Sequence, residues 1–201
     1  MQFNKSDTQL KPFLSAANET LQVNMMKLTS QFNYTHDKYA QYLELPYGNN
    51  AFSMVVVLPE EGNTIDDVVK NMDVASWTKT LESFYGTEVN LELPRFKMEC
   101  EYRLPKVLNK MGMVLPFTGF ADFTGISRGG GLNISDVIHK TFVEVNEEGT
   151  EAAAVTAVSM VTSMPGPGQA VNFFVNKPFI FIIKENSTKC ILFMGKMGEI
   201  K

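Results

Sequence analysis

Two histidines, two cysteines and one tryptophan in 201 residues leave this chain few chemical tools. A catalyst needs a nucleophile with its base, a metal cluster or a phosphate cradle. Cys100 and Cys190 lie far apart and resemble neither a disulfide framework nor a metal pair. Cys190 stands in the apolar run Cys-Ile-Leu-Phe-Met and is expected to be a buried thiol. His36, within Tyr-Thr-His-Asp-Lys, reads as solvated, and His139, between Ile138 and Lys140, as a structural hydrogen-bonding residue rather than a base. The glycines at 129–131 lack the lysine pattern of a P-loop. Asp66-Asp67 and Glu60-Glu61 are most simply helix-entry and turn charges. No enzyme, cofactor or metal site is expected from these residues.

Other absences narrow the class further. No apolar stretch approaches membrane-spanning length, so no membrane partner is expected. A net charge of -4 without a basic run argues against nucleic acid. The opening Met-Gln-Phe-Asn-Lys-Ser-Asp is polar and is not a signal peptide. There is no internal repeat or low-complexity block. What is present, 44% hydrophobic and 20% charged residues, is ordinary for one globular domain. Sequons at Asn4, Asn18, Asn33, Asn133 and Asn186 would permit N-glycosylation in a eukaryotic secretory route.

Strand signals dominate. Leu21 to Leu28, Tyr42 to Leu45 and Phe52 to Leu58 read as strands, the last two separated by a turn at 46–50. Met54 to Leu58 is continuously apolar and should be covered on both faces. Two short helices follow, with Thr64 and Asp73 as caps and Asp67 in a capping-box position. In the second, Trp77, Leu81 and Phe84 form one apolar stripe. Further strands are expected near Val89 to Leu93 and Phe96 to Tyr102, and a helix near Leu104 to Lys110. Phe179 to Ile183 and Cys190 to Met194 should form a buried hairpin.

One segment behaves like a strand held in reserve. From Gly149 to Met164 the only charge is Glu151, and no proline occurs before Pro165. Read with period two, Thr150, Ala152, Ala154, Thr156 and Val158 form a small, uncharged face that could slide between two existing strands. Gly149 stands where the chain would swing, and glycine tolerates dihedrals that other residues do not. A flexible linker would instead be rich in Gly, Ser or charge. The alternative reading is an ordinary edge strand or a disordered loop. Natural edge segments are usually blunted by charge or proline, and this one is not.

The run 134–154, Ile-Ser-Asp-Val-Ile-His-Lys-Thr-Phe-Val-Glu-Val-Asn-Glu-Glu-Gly-Thr-Glu-Ala-Ala-Ala, resembles the strand, hinge and reactive-loop start of an inhibitory serpin. Leu-Pro-Arg-Phe-Lys from Leu93, Leu-Asn-Lys-Met-Gly-Met from Leu108 and Ala-Asp-Phe-Thr-Gly-Ile-Ser from Ala121 match serpin motifs in the family's order. So does the close, from Asn176 to Lys196. The resemblance covers essentially all 201 residues but about the C-terminal half of a serpin. It implies an α+β fold of mostly antiparallel and mixed sheets with a few short helices. It also implies that residues 1–201 are the C-terminal part of one serpin domain, incomplete because the N-terminal part of the fold is absent, with a reactive-centre loop at about 147–176. Left so, the chain alone is expected to be poorly soluble or to dimerise and to inhibit no protease, and a companion chain could supply the missing half.

The implied function is a suicide substrate for a serine protease. The protease cleaves the exposed loop, forms its acyl-enzyme, and is trapped when the freed strand inserts into the central sheet. Gly149, Thr150, Glu151, Ala152, Ala153 and Ala154 would be the hinge. The resemblance places His139 in the region that controls sheet opening, and pairs Arg95 with Glu147 near the loop's entry, an exposed pair being worth little. Family spacing places the cut between Ser163 and Met164, with Thr162 as an alternative residue before it. With no Lys or Arg between Gly149 and Asn176, elastase-, subtilisin- or cathepsin-G-like targets, or a cysteine protease, fit better than trypsin-like ones. The implied location is extracellular or at the cell surface. Two competing readings remain: a serpin-like binding or chaperone protein that never inserts its loop, and an inactive fragment lacking the flanking strand. Non-inserting relatives tend to carry proline, charge or bulk in the hinge, and this hinge carries none.

Overall fold

The computed structural model of the chain describes residues 2–150 and 170–200. They fall into two compact units, Met1–Lys97 with Glu144–Lys201, and Met98–Val143. In chain order the elements are β1 (Gln9–Leu14), β2 (Thr20–His36), β3 (Ala40–Tyr47), β4 (Phe52–Pro59), α1 (Ile65–Asn71), α2 (Val74–Glu82), β5 (Tyr85–Pro94) and β6 (Phe96–Arg103). Then come α3 (Pro105–Lys110), β7 (Ile138–Asn146), β8 (Gly149–Thr150), β9 (Val171–Phe174), β10 (Phe179–Glu185) and β11 (Ile191–Met197). Strands outnumber helices, giving the α+β class expected.

The larger unit is organised by one sheet in the order β11-β10-β4-β3-β2-β5-β9, with β1 paired to β2. The pairing is antiparallel except for β5 with β9. Inside the sheet, between β10 and β3, lies β4, where Met54 to Leu58 are each 4% exposed or less. Burial on both faces explains why this strand is continuously apolar rather than alternating. One face, carrying Val55, Val57, Ile180 and Ile182, is covered by Ile65 and Met72, which flank the ends of α1, and by Trp77 of α2 with Phe84 just beyond it. On the other, Phe96 packs on Phe179 and Phe181 with ring centroids 5.5 Å apart. Both helix starts are capping boxes as expected, Thr64 with Asp67 and Asp73 with Ser76.

Three expectations need correction. β2 runs eight residues past Leu28, through Thr-Ser-Gln-Phe-Asn, because it pairs with β5 as far as Tyr34 opposite Tyr85. Backbone pairing there extends a strand whose side chains are largely polar. The closing hairpin is buried only on the β10 side: β11 is the sheet's edge and exposes Leu192, Phe193 and Met194. Cys190, which precedes β11, is exposed for the same reason. β1, unannounced by any strand signal, contains Pro12, which is tolerated because β1 pairs with β2 alone.

A charged group is buried at the end of the sheet. Lys184 is 2% exposed and its Nζ lies 2.6 Å from both Glu44 Oε1 and Asn186 Oδ1. Ser53 Oγ lies 2.8 Å from the same two oxygens, and Asn33 Nδ2 donates to Glu44 Oε2 at 2.8 Å.

The smaller unit is different in kind. Arg103 pairs with Asp136 at 2.7 Å, Lys140 with Glu101 at 2.9 Å, and the Leu104 N–H donates to the Val137 carbonyl. Val143 alone among its described residues is buried, while Phe120 is 88% and Ile126 80% exposed.

Candidate functional site

β7 ends at a two-residue turn, Glu147-Glu148, and the chain doubles back as β8. The register is antiparallel, Asn146 opposite Gly149 and Val145 opposite Thr150. Gly149 has φ +105, a conformation that side chains with a Cβ rarely adopt, so the expected swing point is where backbone geometry requires glycine. Asn146 Oδ1 accepts the Glu148 N–H at 2.9 Å and closes the turn from within.

The turn is fastened from outside as well. Glu147 is 5% exposed although it sits in a turn. Its Oε1 accepts from Thr8 Oγ1 at 2.8 Å and its Oε2 lies 3.5 Å from Arg95 Nε. Its backbone carbonyl accepts the Phe3 N–H at 2.9 Å. A buried carboxylate without partners would be costly, so these contacts are what allow it to remain there. Arg95 is held in place by its own N–H, which donates to the Asn24 carbonyl at 2.8 Å. The Arg95–Glu147 pair read from the resemblance is therefore present, but half of it is buried rather than exposed.

Beside it, Lys5 Nζ donates to Glu148 Oε1 at 2.7 Å on the open surface. That hydrogen bond and the attraction behind it hold the Glu148 carboxyl below, and the Lys5 ammonium above, their ordinary ranges. Together these residues rim a cleft of about 460 Å³ beside the turn, with Asn24 at its edge. The arrangement has no nucleophile–base pair. It is a latch: charges and hydrogen bonds hold a strand start at the end of β7.

His139 lies on β7, exposed, with no hydrogen bond of its side chain among the described residues. His36 is also exposed, its Nδ1 4.0 Å from Glu60 Oε1. Of the other predicted positions, Glu151, Ala152, Ala153, Ala154, Thr162, Ser163 and Met164 lie outside the described residues. Sequence reasoning missed Phe3, Thr8, Lys5 and Glu148, because nothing in the spacing of residues 3–8 connects them to a turn some 140 positions later. The Glu-Glu doublet before Gly149 was the one available signal.

The sheet-dominated α+β fold is the one expected of the serpin scaffold, and comparison with known proteins bears out that fold and family. The family model described as serpin (serine protease inhibitor) matches residues 1–200, and the chain belongs to that family. It is 41% identical to Iris of Ixodes ricinus over 99% of this chain and 54% of that protein. It is 39% identical to the leukocyte elastase inhibitor of Xenopus laevis over 98% of this chain and 53% of that one. The native crystal structure of the thermophilic serpin tengpin superposes with a TM-score of 0.82 at 30% identity, covering 100% of this chain and 52% of tengpin. The chain thus spans about half the length of the relatives it matches. Serpins are, by the family's description, protease inhibitors rather than enzymes.

Proposed function

We propose that residues 1–201 are the C-terminal part of one serpin domain that inhibits a serine protease as a suicide substrate, with its reactive-centre loop at about 147–176. The observation that carries this reading is the antiparallel pairing of Gly149 and Thr150 with the end of β7. Continued in the same register, insertion would set Ala152 opposite Val143 and Ala154 opposite Thr141. Residues directly opposite in an antiparallel pair share a face, and Val143 and Val145 are 6% and 5% exposed. The small face of the reserve strand would then join a buried one.

The chemistry is the protease's own. Its serine attacks the carbonyl of the residue before the cut, releasing the segment that follows as a new N-terminus and leaving the loop esterified to the enzyme. Insertion of Gly149 onward must then outrun hydrolysis of that ester. Counting along the loop with the family's usual spacing supports a cut between Ser163 and Met164, with Thr162 as the alternative residue before it. The absence of Lys and Arg from 149–176 favours elastase-, subtilisin- or cathepsin-G-like proteases, or a cysteine protease, over trypsin-like ones. One relative's name, leukocyte elastase inhibitor, agrees with that preference. Such targets suit an extracellular or cell-surface protein. The test is to incubate the complete serpin domain, with its N-terminal half present, with a panel of these proteases and look for a complex that survives SDS. Covalent complexes with an elastase-like member and none with trypsin are expected. Cleavage of the loop without any complex would overturn the reading in favour of a non-inserting relative.

A further inference from the structure

Five sequons divide cleanly by what their asparagines already do. At Asn4, Oδ1 accepts the Ser6 N–H at 3.1 Å and caps the 3-10 turn Lys5–Asp7, whose neighbours are fastened to Glu147 and Glu148. Asn33 lies inside β2 and donates to Glu44, the partner of the buried Lys184. Asn186 is committed at both ends: Oδ1 receives Lys184 Nζ, and Nδ2 donates to the Asn50 carbonyl at 2.8 Å. The hydroxyl of that sequon is engaged too, Thr188 Oγ1 donating to Glu185 Oε2 at 2.6 Å.

Asn18 and Asn133 differ. Both are exposed, and neither side chain makes a hydrogen bond among the described residues. Asn18 sits at the tip between β1 and β2 with φ +60, a left-handed position that asparagine adopts more readily than most residues. It is anchored through its backbone, its N–H donating to the Ser15 carbonyl at 3.0 Å, so the side chain is presented while the main chain is fixed. Asn133 lies in the segment before β7, where the Ile134 N–H donates to the Pro116 carbonyl at 2.9 Å.

From this division we infer that the folded protein carries N-glycans on Asn18 and Asn133, and that Asn4, Asn33 and Asn186 are structural asparagines that stay unmodified. The donor is a lipid-linked oligosaccharide pyrophosphate, used by the glycosyl transferase of a eukaryotic secretory route. The Asn amide nitrogen forms a bond to C1 of the first sugar as the bond from C1 to the pyrophosphate oxygen breaks. The nitrogen gives up one of its two protons, and the lipid pyrophosphate leaves with the electron pair. A glycan at Asn186 would place a sugar against the network around Lys184, and the chain could not close over it. At Asn18 and Asn133 the sugar meets solvent.

The inference rests on the proposed extracellular location only for its biological use. Its test directs the full chain into the secretory pathway of eukaryotic cells, so a different natural location would not affect the result. Protease-resistant secreted protein is deglycosylated in heavy-oxygen water, which marks each formerly occupied asparagine as labelled aspartate, and mapped by mass spectrometry. Label at Asn18 and Asn133 and at no other sequon is expected. Thr20→Val should remove one glycan and leave the thermal midpoint unchanged. Asn186→Gln should remove none and lower the midpoint. Label at Asn4, Asn33 or Asn186 in folded protein, or an empty Asn18 or Asn133, would overturn the assignment.

Discussion

Lys184 shows how much one residue can depend on its neighbours. Burial pushes the Glu44 carboxyl up, but hydrogen bonds from Lys184, Asn33 and Ser53 outweigh it and hold the group below its ordinary 4.5. A carboxyl lowered on folding contributes stability that is present above the unfolded value and lost as pH falls through the folded one. Lys184→Met keeps the bulk and removes the charge, leaving the half-buried Glu44 without its cation. Such a deletion costs about 3–5 kcal/mol in the usual case. We expect a loss of that order at pH 7 by urea unfolding, shrinking as pH falls below 4.5 and Glu44 takes up a proton. Adding Glu44→Gln to Lys184→Met should recover most of it. An equal loss at acid and neutral pH would show that the charge pair is not the cause.

At the scale of elements, the hinge carries the strongest expectations. Thr150→Arg would carry a charge into the sheet on insertion, and Ala152→Pro would remove a ladder donor from a central strand. In the complete protein, on the proposed mechanism, both should leave cleavage of the loop intact while the stoichiometry of inhibition rises at least several-fold. An unchanged stoichiometry for both variants would show that insertion is not the mechanism. Element type was legible wherever side chains carry the signal, as in β4 with its buried apolar run from Met54 to Leu58 and in the capped α1 and α2. It was illegible where pairing alone decides. The far half of β2 is a strand because β5 lies beside it, and β11 is an edge strand whose apolar run looks buried in sequence. The same limit applies to the latch, since Thr8 and Glu147 meet only through the fold.

Across the whole molecule, the two units differ in how far they bury their apolar residues. The larger has a continuous core through β4 and β10, whereas the unit of residues 98–143 buries Val143 alone among its described residues. Phe120 and Ile126 leave large apolar side chains in contact with solvent. Replacing both with serine should raise solubility and reduce binding of a hydrophobic dye by a clear margin, with the unfolding midpoint in urea unchanged. A lowered midpoint would mean that these residues support the fold.

The central claim is that the chain from Gly149 onward is a strand awaiting a place beside β7. Hydrogen–deuterium exchange on the complete protein, before and after an elastase cuts the loop, tests it most directly. Amides of residues 151–158 should exchange freely before the cut and become protected after it, together with those of β7 from Ile138 to Asn146. If residues 151–158 still exchange freely once the loop is cut, no strand has been inserted and the suicide-substrate account is wrong.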